Sequence, residues 1–278
     1  MLAACSSVPH RKGSGVAAYA MPDKYAARTV ESVLSNGGNA MDAAVAAAFV
    51  LAVTFPEAGN IGGGGFMLIR EDQQNYFLDY REKAPQAAHR DMYLTADGEV
   101  DGRKSLVGIL AAGVPGTVDG MWRAHQRFGT QPWQDLVMPA VELAKNGFEV
   151  HPQKAKQVRE TIEWFNGEVN FAEHFGAMAQ GGVFKQPELA AVLQRIADQG
   201  PDDFYRGETA DIFLAHSKQA GGLFTAEDLD GYESVWRTPL EAYWRGYRVV
   251  TAPPPSSGGF AVIQLSLIHI SEPTRHRR

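Results

Sequence analysis

The segment Ala40 to Thr54, AMDAAVAAAFVLAVT, limits what this chain can fold into more than any other stretch. Apart from Asp42 near its start, it is Ala-rich and apolar on every helical face. A helix of that kind has to be enclosed on all sides. Its unbroken apolar run, Ala43 to Val53, falls well short of the roughly 20 residues that a membrane span needs. The helix therefore belongs at the centre of a layered protein. Asn39 caps its first turn, Asp42 takes the third position of a capping box, and Pro56 ends it.

Phe66–Arg70 and Asn75–Tyr80 then form two strands around the polar turn Glu71–Gln74. Phe66, Met67, Leu68 and Ile69 offer no polar face, which predicts a strand covered above and below. Around this pair the signals are helical. Asp23 caps a helix from Lys24 to Asn36, and Gly37 supplies its left-handed stop. Thr117 is placed to cap a helix that keeps its period through Phe128 and stops at Gly129. Another helix covers Trp133 to Asn146, broken or restarted at Pro139. Pro187 opens one that closes at Gly200, and Glu208–Gln219 is a further helix. Thr225–Asp228 is a capping box, and Arg245–Thr251 is a strand leading into Pro253–Gly259, PPPSSGG. No repeat and no long linker divides the chain, so one α+β or layered α/β unit is expected.

The net charge of −6 argues against nucleic acid as a partner, and before residue 265 the only basic cluster is His10–Lys12. The histidines His89, His125, His151, His174 and His216 lack metal-ligand spacing, and no cofactor motif is present. The single cysteine, Cys5, excludes an internal disulfide. Its context, Leu2-Ala3-Ala4-Cys5-Ser6, resembles the lipobox of bacterial lipoproteins, in which the cysteine carries the lipid anchor. That resemblance implies a membrane tether through Cys5 and a periplasmic or membrane-anchored bacterial protein, with residues 1–14 as a flexible leader; the charged and apolar regions that precede a lipobox are missing, and a chance LAAC is the alternative reading.

Three local constellations carry possible chemistry. Four consecutive glycines, Gly62–Gly65, let a backbone come very close to a neighbour. They could cradle a phosphate, but no Lys-Ser/Thr follows and the next element is a strand, so a tight packed turn is favoured. Arg81, after the second strand, is placed to fork onto a substrate carboxylate. Taken alone, an ion pair with Asp79 or Glu82 is the commoner role. Ser256 and Ser257 could form a nucleophile loop, although a Pro run before small residues is more often a fixed loop.

In combination, the motifs resemble the γ-glutamyltransferase family of N-terminal-nucleophile hydrolases. They are Gly37–Ala44 (GGNAMDAA), Ile61–Met67 (IGGGGFM), Asp79–Glu82 with Ala84-Pro85, and Val114–Thr117. Gly129-Thr130 to Trp133, Phe204–Gly207, Leu223–Leu229 and Pro253–Gly259 follow in the family's order. The resemblance covers residues 15–264 and implies an incomplete four-layer αββα sandwich. It also implies a precursor that cleaves itself into large and small subunits. The nucleophile would be the small subunit's N-terminal threonine, with its own α-amino group as base. γ-Glutamyl compounds such as glutathione would be the substrates, with water, amino acids or peptides as acceptors. Arg81, the arginine of the D-[FY]-R-E motif, would bind the substrate's α-carboxylate. No cofactor is implied.

The family's processing threonine is not found, since no Thr-Thr-His occurs here. Residues 265–278, LSLIHISEPTRHRR, show no helix or strand period and resemble a translated sequencing-library adapter, to be set aside before fold reasoning. Two expectations follow. One is a γ-glutamyltransferase cut within its large-subunit half, with its small-subunit partner missing and no turnover of its own. The other is a non-catalytic, lipid-anchored binding protein that kept this half.

Overall fold

The computed structural model describes residues 17–271, with side chains through Leu265. Cys5 and the leader 1–14 lie outside the described residues. Asp23 accepts hydrogen bonds from the N–H groups of Tyr25 and Ala26, opening α1 (Lys24–Ser35). The Asn39–Asp42 capping box opens α2 (Ala40–Thr54). Eleven residues of α2 are buried, which makes it the central helix that its composition requires. Around it pack α1, α3 (Thr117–Phe128) and α4 (Trp133–Asn146). α4 does not break at Pro139. Asp135, whose carbonyl would lose its helical partner there, is exposed, so water can replace the missing N–H while α2 and α7 (Pro187–Gln199) hold the helix.

α5 (Pro152–Phe165) and α6 (Phe171–Ala179) pair with each other, flanked by the two-stranded β3 (Phe148–Val150) and β4 (Gly182–Phe184). α8 (Pro201–Arg206), α9 (Glu208–Gln219) and α10 (Ala226–Asp230) follow, the last opened by the Thr225–Asp228 capping box. Arg195 of α7 ties this group together. It reaches buried Asp203 of α8 at 3.3 Å and Thr209 of α9 at 3.0 Å.

The sheet is antiparallel and three-stranded, in the order β1 (Phe66–Glu71), β2 (Gln74–Asp79), β5 (Val235–Arg237). Met67, Ile69 and Leu78 meet the helical core on one face. Phe66, Leu68, Phe77 and Val235 share the other. Phe66 and Phe77 stack there at 5.5 Å, yet Leu68 is 47% exposed and Val235 37% exposed. Phe77 on that face is buried, so cover reaches the middle strand, but the two-sided cover expected for β1 is incomplete at Leu68 among the described residues, because β1 lies at the edge of the sheet. The chain is α+β, with a helical layer against one sheet.

β6 (Leu240–Trp244) and β7 (Tyr247–Thr251) form a hairpin, so the strand expected at Arg245–Thr251 is shorter and has a partner that the sequence had not revealed. Arg245 and Gly246 make the turn. α11 (Ser257–Ser271) continues into the segment expected to lack a helical period. No Gly or Pro lies between Gly259 and Pro273, so nothing interrupts a helix once started. No described helix is long and apolar enough to cross a membrane.

Candidate substrate site around Arg81

β2 ends at Asp79, and Tyr80 continues the pairing by exchanging hydrogen bonds with Gly65 at 3.0 and 3.2 Å. The chain then turns through Arg81. The Arg81 N–H donates to Asp79 Oδ1 at 3.1 Å, and the Arg81 carbonyl accepts from the Tyr232 hydroxyl at 2.9 Å. Two residues on, Lys83 and Val114 bridge in both directions, at 3.3 and 2.7 Å. The backbone at Arg81 is therefore held from three elements.

The glycines make this possible. A Cβ on Gly64 would fall 2.4 Å from the Tyr80 carbonyl oxygen, and one on Gly116 would fall 2.1 Å from both that oxygen and the Tyr232 hydroxyl. The Gly62–Gly65 loop is thus the packed turn, pressed onto the Tyr80–Glu82 backbone. A helix N-terminus does point at it, contrary to expectation. The N–H groups of Gly116 and Thr117, which open α3, both donate to the Gly63 carbonyl, at 2.8 and 3.0 Å. Gly116 is the N-cap and Thr117 the first helical residue. With those N–H groups spent on the protein's own backbone, the loop has no phosphate cradle.

The guanidinium of Arg81 has a different surrounding. Arg81 is exposed at a groove of about 480 Å³ walled by Asn60, Gly62-Gly63, Arg81–Pro85 and Leu110–Gly113. Among the described residues no carboxylate pairs with it. Of the two expected partners, Asp79 is taken by Arg237 Nε at 2.7 Å and by the Arg81 N–H, and Glu82 makes no ion pair with the guanidinium. A fixed backbone thus presents an unpaired cation to a groove, which is what recognition of an anionic ligand needs.

Tyr80, Tyr205 and Tyr232 cluster behind the Arg81 backbone, outside the groove wall. Burial, reinforced by Glu82, pushes the Tyr80 hydroxyl up to about 12. Burial also holds Tyr232 above the usual phenol range, with Asp119, Asp79, Glu82 and Tyr80 adding to the effect, and raises Tyr205. All three stay protonated at neutral pH, and Tyr232 stays a donor. Tyr205 stacks on Tyr232 at 5.8 Å and donates to the Pro115 carbonyl at 2.9 Å. Sequence reasoning missed Tyr232. Tyr205 and Gly116 stood inside the motifs Phe204–Gly207 and Val114–Thr117, but with no role attached.

Ser257 opens α11, and Ser256 N–H donates to the Pro253 carbonyl at 3.1 Å, as befits a fixed loop. Among the described residues no cluster of three or more His, Cys, Asp or Glu could hold a metal ion.

Comparison with known proteins gives this arrangement a family. The model of the gamma-glutamyltranspeptidase family matches residues 26–275. The chain belongs to the gamma-glutamyltranspeptidases.

Its similarity to a Pseudomonas aeruginosa glutathione hydrolase proenzyme is 52% identity, over 95% of this chain and 47% of that protein. An Escherichia coli glutathione hydrolase proenzyme is 42% identical, over 87% of this chain and 43% of its own length. A solved gamma-glutamyltranspeptidase from Pseudomonas nitroreducens, complexed with L-DON, superposes with a TM-score of 0.89 at 55% identity. That match covers 94% of this chain and 77% of the solved one. The chain spans about half the length of the curated relatives it matches.

Two other transpeptidase motifs meet away from the groove. Asp42, fully buried, accepts from Asn39 N–H, Thr130 N–H and Gln131 N–H at 2.8, 2.8 and 3.2 Å, and from the Thr130 hydroxyl at 2.6 Å. Burial alone would raise its pKa; these hydrogen bonds, led by Thr130's hydroxyl, more than offset that and hold it below the ordinary value. GGNAMDAA and GT..W are thus joined as a structural lock.

Proposed function

We propose that this chain supplies the substrate-carboxylate site of an enzyme that transfers γ-glutamyl groups from glutathione or a similar donor to water, amino acids or peptides. One observation carries the proposal: Arg81, anchored at both backbone polar groups, turns an unpaired guanidinium into an open groove. A planar fork on a rigid base matches an α-carboxylate bidentately. It leaves the donor's γ-carbonyl extended away from the arginine, held for attack.

The nucleophile in this proposal is a threonine at the N-terminus of a separate small subunit. Its hydroxyl attacks the γ-carbonyl as its α-amino group takes the proton. The leaving amine departs with a proton, and water or an acceptor amine then cleaves the ester. Supporting this are the names of the relatives, glutathione hydrolase proenzymes, and the share of their length that the chain spans.

The test is Arg81→Gln in the complete polypeptide carrying this segment. A hydrogen bond to a charged group contributes about 1.5–3 kcal/mol, so KM for γ-glutamyl donors rises roughly tenfold or more. An unchanged KM would refute the assignment. The 278-residue chain alone releases no product from a chromogenic γ-glutamyl anilide; measurable turnover would overturn the division of labour.

A further inference from the structure

The two bonds that hold Arg81 are unequal in origin. The one to Asp79 is local, two residues back in the chain. The one from Tyr232 crosses 151 residues. Tyr232 is 6% exposed, its ring lies parallel to that of Tyr205 within 5°, and Lys83 Nζ stands 4.9 Å from its centroid. Gly116 crowds the hydroxyl so closely that no larger residue fits. The hydroxyl is therefore a fixed point, and the Arg81 carbonyl hangs from it. A misplacement of about 1 Å in a substrate-holding group can cost on the order of 100-fold in rate, so a rigid mount for a long side chain has functional consequence.

We propose that Tyr232 is a positioning residue for the substrate: by fixing the Arg81 carbonyl it aims the guanidinium into the groove and sets the preference for donors bearing a free α-carboxylate. This rests on the assignment of Arg81 above.

The experiment uses the complete polypeptide and two donors, a γ-glutamyl anilide and its α-carboxamide counterpart, measured as KM or, where turnover is slow, as Ki. Tyr232→Phe keeps the ring and its stack and removes one hydrogen bond. KM for the carboxylate donor is expected to rise about fivefold, with kcat little changed and the carboxamide unaffected. Tyr205→Phe, which loses the Pro115 bond but keeps the stack, lowers the melting temperature without changing the ratio between donors. An equal loss on both donors in Tyr232→Phe, a loss in kcat alone, or an unchanged KM overturns the positioning role. Arg81→Gln separates the two ideas. If it retains the carboxylate preference, the Arg81 assignment itself fails and this inference with it. If it abolishes the preference while Tyr232→Phe keeps it, only the positioning role falls.

Discussion

Asp42 concentrates more hydrogen bonding than any group near Arg81, yet it binds no substrate in this account. Its carboxylate ties the start of α2 to the α3–α4 connection. Because its pKa is depressed in the folded state, its contribution is complete above the ordinary aspartate value and is lost as pH falls through the lower, folded value. Urea unfolding at a series of acidic pH values should show this decline, starting below about pH 4. Asp42→Asn should lose about 2–4 kcal/mol at neutral pH and flatten the acid slope. A crowded glycine offers a second check. Gly116→Ala should cost roughly 1–3 kcal/mol by overpacking against Tyr232 and Tyr80, read as a fall in melting temperature.

Among the elements, the helices were legible where caps and stripes agreed. The ranges of α2, α3, α4, α7 and α9 follow from Asn39, Gly129, Pro187 and a 3.6-residue period. β5 and β6 were not: the three residues of β5 become a strand only because distant β2 recruits them, and β6 is set by its hairpin with β7 through Arg245-Gly246, whose turn carries only one glycine as a signal. The Arg81 groove was half legible. Its cation stood in a motif, while Tyr232, which mounts it, carries no local mark. Pro139 misled for a related reason, since packing on two neighbours outweighed a local helix breaker. Pro139→Ala should restore the N–H to the Asp135 carbonyl and raise stability by about 1 kcal/mol in thermal unfolding. Arg195→Met should do the opposite. It leaves Asp203, 1% exposed, without its cation and should cost on the order of 3 kcal/mol.

At the scale of the molecule, the two faces of the sheet are covered unequally among the described residues. Helices close one face of the sheet, while on the other Leu68 of the edge strand β1 and Val235 of the opposite edge strand β5 are exposed on either side of buried Phe77. Such an edge invites association. The isolated chain should self-associate, and Leu68→Lys should raise the monomer fraction in size-exclusion chromatography with light scattering. Connectivity adds a matter of timing. Asp79 meets Arg237 across 158 residues, so β2 lacks its second neighbour until that much more chain has been made. At translation rates of 5–20 residues per second, that interval is roughly 8–30 s. Throughout it, the strand that leads into Arg81 keeps an unpaired edge on the ribosome, open to capture by chaperones or by other nascent chains.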